Sequence, residues 1–115
     1  LYHQRMPEDY STYSEEALTA IARDREAFTY FGWKPYMHDP SLTNWLHRID
    51  IPTLLVWGEH DGFVDLRYAE SYHRAISGST LEVVPGAGHF PEIEQQSQVL
   101  EQITQFADAE TRRES

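Results

Sequence analysis

The fold of this chain is decided by residues 51–61, which read IPTLLVWGEHD. A proline precedes the apolar run at 53–57, and Gly58 ends it. An apolar run of this length without alternation is typical of a strand that is buried on both faces in a parallel sheet covered by helices. We therefore predict a buried strand at 53–57 that brings the carboxylate of Asp61 just beyond its carboxyl end.

A second stretch, VVPGAGH at residues 83–89, repeats this plan with His89 in the place of the carboxylate. The residues at 80–84 alternate between polar and apolar, which predicts an edge strand with one wetter face. The segment between the two strands has the pattern of one helix, from a cap at Asp65 to a stop at Gly78. The sequence thus predicts a strand–helix–strand unit.

Such a unit makes its two strands parallel and its connection right-handed. Because neighbouring parallel strands end at the same edge of the sheet, about 4.8 Å apart, we expect Asp61 and His89 to lie within hydrogen-bonding distance. A carboxylate bonded to one ring nitrogen of a histidine fixes its tautomer and orientation. The other nitrogen can then take a proton from a hydroxyl nucleophile or from water.

Helical patterns also lie outside this unit. Ser14 is placed to cap a helix that ends at Gly32, and Asp39 with Pro40 predicts the start of another that continues to Ile49. A last helix is predicted after residue 94, with one apolar side formed by Val99, Leu100, Ile103, Phe106 and Ala107. Residues 108–115 are expected to be a charged, frayed tail.

Composition limits the classes of function. The chain has no cysteine, which excludes disulfides, thiolate metal sites and a cysteine nucleophile from these 115 residues. A net charge of −10 argues against partners such as nucleic acid and an anionic membrane surface. The sequence contains no apolar run of membrane-spanning length, and we expect a soluble, cytoplasmic protein.

Residues of about 42–107 resemble the C-terminal part of an α/β-hydrolase, on the motifs IPTLLVWGEHD at 51–61 and GAGHFPEIE at 86–94. The resemblance implies an α/β fold: two parallel strands with flanking helices at 49–115, preceded at 1–48 by the end of a helical cap. It implies a hydrolase that acts on an ester or a related carbonyl or C–C bond of a small apolar molecule. Asp61 would be the acid and His89 the histidine of its catalytic triad.

The nucleophile of such a triad is not found in this sequence. No Gly-x-Ser-x-Gly occurs, nor an equivalent with aspartate or cysteine at its centre. Ser77-Gly78-Ser79 lies between a helix and a strand, the reverse of the strand-to-helix turn that presents a nucleophile. We therefore predict that the chain is a fragment, inactive alone, whose partner is the missing N-terminal part of the same fold.

Other residues near the two motifs are weaker candidates. Phe63, Val64 and Phe90 flank Asp61 and His89 and are candidates to line an apolar substrate pocket. His60 with Glu92 and Glu94 lacks a fixed ligand spacing, so we predict no metal site, and the proposed chemistry needs no cofactor.

Two alternative functions stay open. A non-catalytic member of the same fold could bind a partner through the aromatic segment that includes Trp33 and Tyr36. An aspartate nucleophile outside the chain would instead make the protein a dehalogenase or an epoxide hydrolase.

Overall fold

The structure is a computed structural model, and it describes residues 3, 9–32 and 39–113. Its helices and strands are α1 (Glu15–Gly32), β1 (Thr53–Gly58), α2 (Leu66–Ala75), β2 (Ser79–Val84), α3 (Pro91–Glu94) and α4 (Gln96–Arg113). Short 3-10 turns lie at Tyr10–Thr12, Leu42–Asn44 and Leu46–Arg48. The chain divides into two compact units, one formed by Leu1–Arg5 with Thr43–Ser115 and the other by Met6–Leu42. The predicted division at residue 48 stays a prediction.

The sheet consists of β1 and β2, which pair in parallel. The register runs from Thr53 opposite Ser79 to Gly58 opposite Val84, so the two strands end together. The predicted strand–helix–strand unit and the parallel pairing are confirmed. The loops after Gly58 and Val84 consequently leave the sheet at the same edge.

The core lies where the carboxyl end of the sheet meets α4. Val84, Ala87 and Val99 form its buried cluster, and Val56 of β1 packs against it. The prediction that β1 is buried is wrong for this structure, because residues 53–57 are only half-buried. Within the described ranges β1 has one strand neighbour, and the helices alone do not cover the rest of its apolar surface.

Helix α2 begins and ends as predicted. The side chain of Asp65 accepts a hydrogen bond of 2.8 Å from the backbone N–H of Arg67, which satisfies one of the unpaired donors of the first turn. The helix ends at Ala75, and Gly78 then adopts a φ of 77°, a conformation that glycine tolerates without strain. Ala69 and Ile76 are buried and attach this connection to the rest of the unit.

The helix predicted from Asp39 to Ile49 is wrong. Asp39 does accept a hydrogen bond of 2.9 Å from Ser41 N–H, as a cap would, but only the two 3-10 turns follow. Thr43 and Asn44 are weak helix formers. Of the apolar residues expected on one face, only Leu46 is buried, so packing does not compensate for the low helix propensity.

The C-terminal region differs from the prediction in two respects. The loop that carries His89 contains the short helix α3, which begins at Pro91. Helix α4 continues to Arg113 instead of fraying at residue 108, and an ion pair of 2.7 Å between Arg113 and Glu110 supports its last turn. On α4 Val99 is buried, whereas Leu100 is 62% exposed.

Helix α1 forms most of the second unit. Its first turn is capped as predicted, because Ser14 Oγ accepts a hydrogen bond of 3.2 Å from Ala17 N–H. None of its residues is buried. The aromatic segment with Trp33 and Tyr36 lies outside the described residues.

Candidate active site

The candidate active site is formed by the loops that follow β1 and β2. Backbone hydrogen bonds continue between them beyond the end of the sheet, from Glu59 N–H to the Val84 carbonyl (3.0 Å) and from His60 N–H to the Ala87 carbonyl (2.9 Å). A turn follows in which Asp61 N–H donates to the Gly58 carbonyl at 3.2 Å. These bonds fix the backbone on both sides of the site.

The close contact of the loops depends on Gly58. A Cβ atom at this position would overlap the carbonyl oxygen of Gly88 and lie 2.7 Å from that of Ala87. Since real Cβ atoms essentially never approach backbone atoms so closely, only glycine fits at residue 58 with this loop in place. The glycine that ends the predicted strand therefore also sets the separation of the two loops.

Asp61 and His89 are joined by a hydrogen bond. His89 Nδ1 donates to Asp61 Oδ2 at 2.9 Å, while Asp61 Oδ1 accepts from the backbone N–H groups of Phe63 (2.8 Å) and Val64 (2.9 Å). The Asp61 side chain is 5% exposed and that of His89 is 28% exposed. The predicted proximity of these two residues is confirmed, and their catalytic roles stay a prediction.

The carboxylate of Asp61 is stabilised in its charged form. Burial alone would raise its pKa, but the hydrogen bonds from His89, Val64 and Phe63 together outweigh burial and hold the pKa below its usual range. A charged Asp61 accepts the Nδ1 proton of His89, which leaves Nε2 as the ring nitrogen for proton transfer.

Two phenylalanine rings contact the imidazole edge-on. The ring of Phe63 lies 4.9 Å from that of His89 at an interplanar angle of 75°, and the ring of Phe90 lies at 5.0 Å and 69°. Edge-to-face contacts of this kind are favourable between aromatic rings and stabilise the observed position of the imidazole. Phe63 is half exposed and Phe90 is half-buried, so part of each ring is accessible beside His89.

Val64, the third residue predicted to line a pocket, belongs to the frame of the loop. Its N–H bonds to Asp61, and its carbonyl accepts a hydrogen bond of 3.0 Å from Trp57 Nε1. The indole of β1 thus anchors the turn that holds the carboxylate. Contact of Phe63, Val64 or Phe90 with a substrate stays a prediction.

Sequence reasoning missed the structural role of Glu94. It was considered only as a metal ligand, but its Oε1 accepts a hydrogen bond of 2.8 Å from the backbone N–H of Gly88. His60 stacks on His3 with ring centroids 4.1 Å apart. Among residues 3, 9–32 and 39–113, no three acidic or histidine side chains converge as a metal site would require. The sequence feature that could have indicated this role is the position of Glu94, a carboxylate only six residues after Gly88 in the same glycine-rich motif.

Comparisons with known proteins identify the family of the chain. The sequence model of the α/β-hydrolase fold matches residues 4–96, and the chain belongs to the α/β-hydrolase family. The chain is 44% identical over 46 residues to pimeloyl-[acyl-carrier protein] methyl ester esterase of Neisseria meningitidis serogroup B, covering 40% of this chain and 18% of the esterase. It is 33% identical over 70 residues to proline iminopeptidase of Saccharolobus solfataricus, covering 61% of this chain and 22% of the peptidase.

A solved structure supports the same assignment. The crystal structure of a predicted CIB-like hydrolase from Thermoplasma acidophilum superimposes with a TM-score of 0.57 at 37% identity, over 59% of this chain and 33% of that one. The chain spans only 15% to 22% of the length of the curated relatives it is compared with. In the described ranges no helix is both long and apolar enough to cross a membrane.

Proposed function

We propose that this chain supplies the acid and the histidine of a hydrolytic triad, Asp61 and His89, to an enzyme that cleaves an ester or a related carbonyl or C–C bond. The observation that carries the proposal is the 2.9 Å hydrogen bond from His89 Nδ1 to a charged, nearly inaccessible Asp61 at the carboxyl edge of a parallel sheet. Such a pair at a sheet edge fits a general base and the group that orients it.

The nucleophile in this proposal lies outside residues 1–115, because the sequence has no nucleophile turn. His89 Nε2 takes the proton of a hydroxyl nucleophile as its oxygen attacks the substrate carbonyl. The imidazolium that forms is stabilised by Asp61, and it then gives its proton to the leaving group. His89 then takes a proton from water as the water attacks the acyl intermediate, and it returns this proton to the nucleophile oxygen as the product acid is released.

The substrate class follows from the surroundings of His89. Phe63 and Phe90 present apolar surface beside the imidazole, which favours an apolar ester-like substrate. The related pimeloyl ester esterase and the iminopeptidase both cleave carbonyl compounds, which supports a hydrolase that attacks a carbonyl carbon. In this proposal residues 1–48 are the end of a helical cap, and the reaction needs no metal or organic cofactor.

The experiment is hydrolysis of an aryl ester by the polypeptide or complex that unites this chain with its nucleophile. We expect His89→Ala to abolish turnover and His47→Ala, at an exposed histidine of the same unit, to leave it unchanged. The 115-residue chain alone should not turn over the ester. Unchanged activity in the His89→Ala enzyme would contradict the proposal.

A second measurement identifies the nucleophile. A fluorophosphonate labels an activated serine, and we expect this labelling to disappear in His89→Ala. Absence of labelling combined with turnover of an alkyl halide or an epoxide would instead favour an aspartate nucleophile and the corresponding dehalogenase or epoxide hydrolase.

A binding module is the second candidate function. It is favoured by the exposed aromatic side chains near the end of α1, where Tyr30 is 78% and Phe31 87% exposed. Under this alternative, Tyr30→Ser with Phe31→Ser would abolish binding of a partner, whereas His89→Ala would leave that binding unchanged.

A further inference from the structure

The carboxylate of Glu94 connects two segments of the backbone near the site. Its Oε1 accepts a hydrogen bond of 2.8 Å from Gly88 N–H, and its Oε2 accepts one of 2.7 Å from His3 N–H. Glu94 is half-buried at the end of α3, and Gly88 is buried directly before His89. Hydrogen bonds between a carboxylate and backbone N–H groups are charge-assisted and therefore stronger than neutral ones.

Three side chains among the described residues form hydrogen bonds with the backbone of residues 86–88, and the bond of Glu94 is the shortest. The carboxylate of Glu59 accepts from Gly86 N–H at 3.3 Å, and Gln95 Nε2 donates to the Gly86 carbonyl at 3.4 Å. Both of these bonds are longer than the bond to Gly88, and both lie farther along the chain from His89.

We propose that Glu94 is a positioning residue for His89. It fixes the backbone immediately before the imidazole, as Asp61 fixes the ring itself. The effect on catalysis rests on the proposed function, whereas the effect on the geometry of His89 does not.

The physical reason is the composition of the loop. Gly86, with a φ of 69°, and Gly88 have no Cβ atoms to restrict their backbone angles, so the loop gains freedom once its external bonds are removed. The bond from His60 N–H to the Ala87 carbonyl holds the far side of the loop, and Glu94 holds the side next to His89. Without Glu94 the imidazole would sample orientations that break its bond to Asp61.

The first test uses nuclear magnetic resonance on the 115-residue chain. In the unsubstituted chain we expect slow hydrogen exchange at the Gly88 amide and a low-field resonance from the His89 Nδ1 proton. Glu94→Ala should increase exchange at Gly88 and broaden the His89 resonance. Glu94→Gln keeps an acceptor for Gly88 and should preserve the resonance, as should Glu92→Ala on the exposed side of α3.

The outcome is decided even if Glu94→Ala does not fold. Gly88 exchange as fast as that of an exposed amide in the unsubstituted chain would overturn the inference. An unaltered His89 resonance in folded Glu94→Ala would also overturn it. Equal loss of this resonance in Glu94→Gln and Glu94→Ala would overturn it as well.

Kinetics separate this inference from the proposed function. In the enzyme that unites this chain with its nucleophile, Glu94→Ala should lower kcat by about tenfold to a hundredfold with little change in KM, because Glu94 is inferred to act through the orientation of His89 and not through substrate binding. A broadened His89 resonance together with full activity of His89→Ala would overturn the proposed function and leave the positioning role intact. Equal kcat in Glu94→Ala and Glu92→Ala, with His89→Ala inactive, would overturn the catalytic part of the inference alone.

Discussion

Gly58 and Gly88 are in backbone contact, with the carbonyl oxygen of Gly88 occupying the space that a side chain at residue 58 would need. This contact joins the end of β1 to the residue before His89. The distance between Asp61 and His89 therefore depends on the glycine at residue 58.

Replacing Gly58 with alanine should displace the loop that carries His89. The new Cβ atom would overlap backbone atoms, which cannot rotate away, so we expect a loss of about 3 kcal/mol in the free energy of unfolding. Gly62→Ala is the matched control, because a Cβ atom there meets nothing within 4 Å. Urea unfolding measures both variants, and equal stability of the two would contradict the contact described above.

Asp61→Asn should leave the fold in place and remove most of the activity. The asparagine oxygen can still accept from Phe63 and Val64, but its NH₂ group would then face the Nδ1 proton of His89. The wrong tautomer of the histidine follows, and we expect kcat to fall by about 10⁴-fold in the enzyme that unites this chain with its nucleophile.

Asp50→Asn controls for the loss of a negative charge, since Asp50 is exposed in the same unit. A change in kcat of less than tenfold in Asp61→Asn would remove Asp61 from the proposed triad.

Stability should fall in acid because of Asp61. Although burial would raise its pKa, the hydrogen bond from His89 and those from the backbone hold the pKa below the usual aspartate value of about 4. A group with a lowered folded-state pKa contributes stability that is fully present above the unfolded value and lost as the pH falls through the folded one. We expect the free energy of unfolding to decrease with acidification below about pH 5.

The contribution of Asp61 is isolated by comparison with Asp61→Asn. The pKa values of Asp9 and Asp65 are also lowered by hydrogen bonds, from Ser11 and Arg67 respectively, so the variant should retain part of the acid dependence. Urea unfolding at a series of pH values gives the slope of the free energy of unfolding against pH for the unsubstituted chain and for Asp61→Asn. Identical slopes in the two chains would show that Asp61 contributes nothing to acid stability.

The hydrogen bond from Trp57 to Val64, in the loop that carries Asp61, can be removed separately. Trp57→Phe keeps an aromatic ring in β1 but leaves the carbonyl of Val64 without the indole donor, at an expected cost of about 1 kcal/mol. Trp45→Phe is the control, because Trp45 is 54% exposed and its ring lies beside the guanidinium group of Arg48. Thermal unfolding should give a lower Tm for Trp57→Phe, and a lower Tm for Trp45→Phe alone would contradict this assignment.

Local patterns predicted most of the unit that carries the site. The spacing of the apolar residues changes from the continuous run at 53–57 to a helical pattern in α2. Asp65 before that helix and Gly78 after it mark its two ends, so its extent could be predicted from neighbouring residues alone. The same reasoning was wrong at residues 39–49. The apolar spacing there is helical, but a short helix depends on burial of its apolar face, and only Leu46 is buried.

The sequence by itself determined the parallel strand pair and the presence of Asp61 and His89 at its carboxyl edge, because strand period and crossover length are local properties of the chain. Only the tertiary structure decided which groups hold these two side chains. Three interactions link residues on different elements or loops: the contact of Gly58 with Gly88, the hydrogen bond from Trp57 to Val64, and the hydrogen bond between Glu94 and Gly88. Their partners depend on distances in space after folding, which a pattern along the chain does not encode.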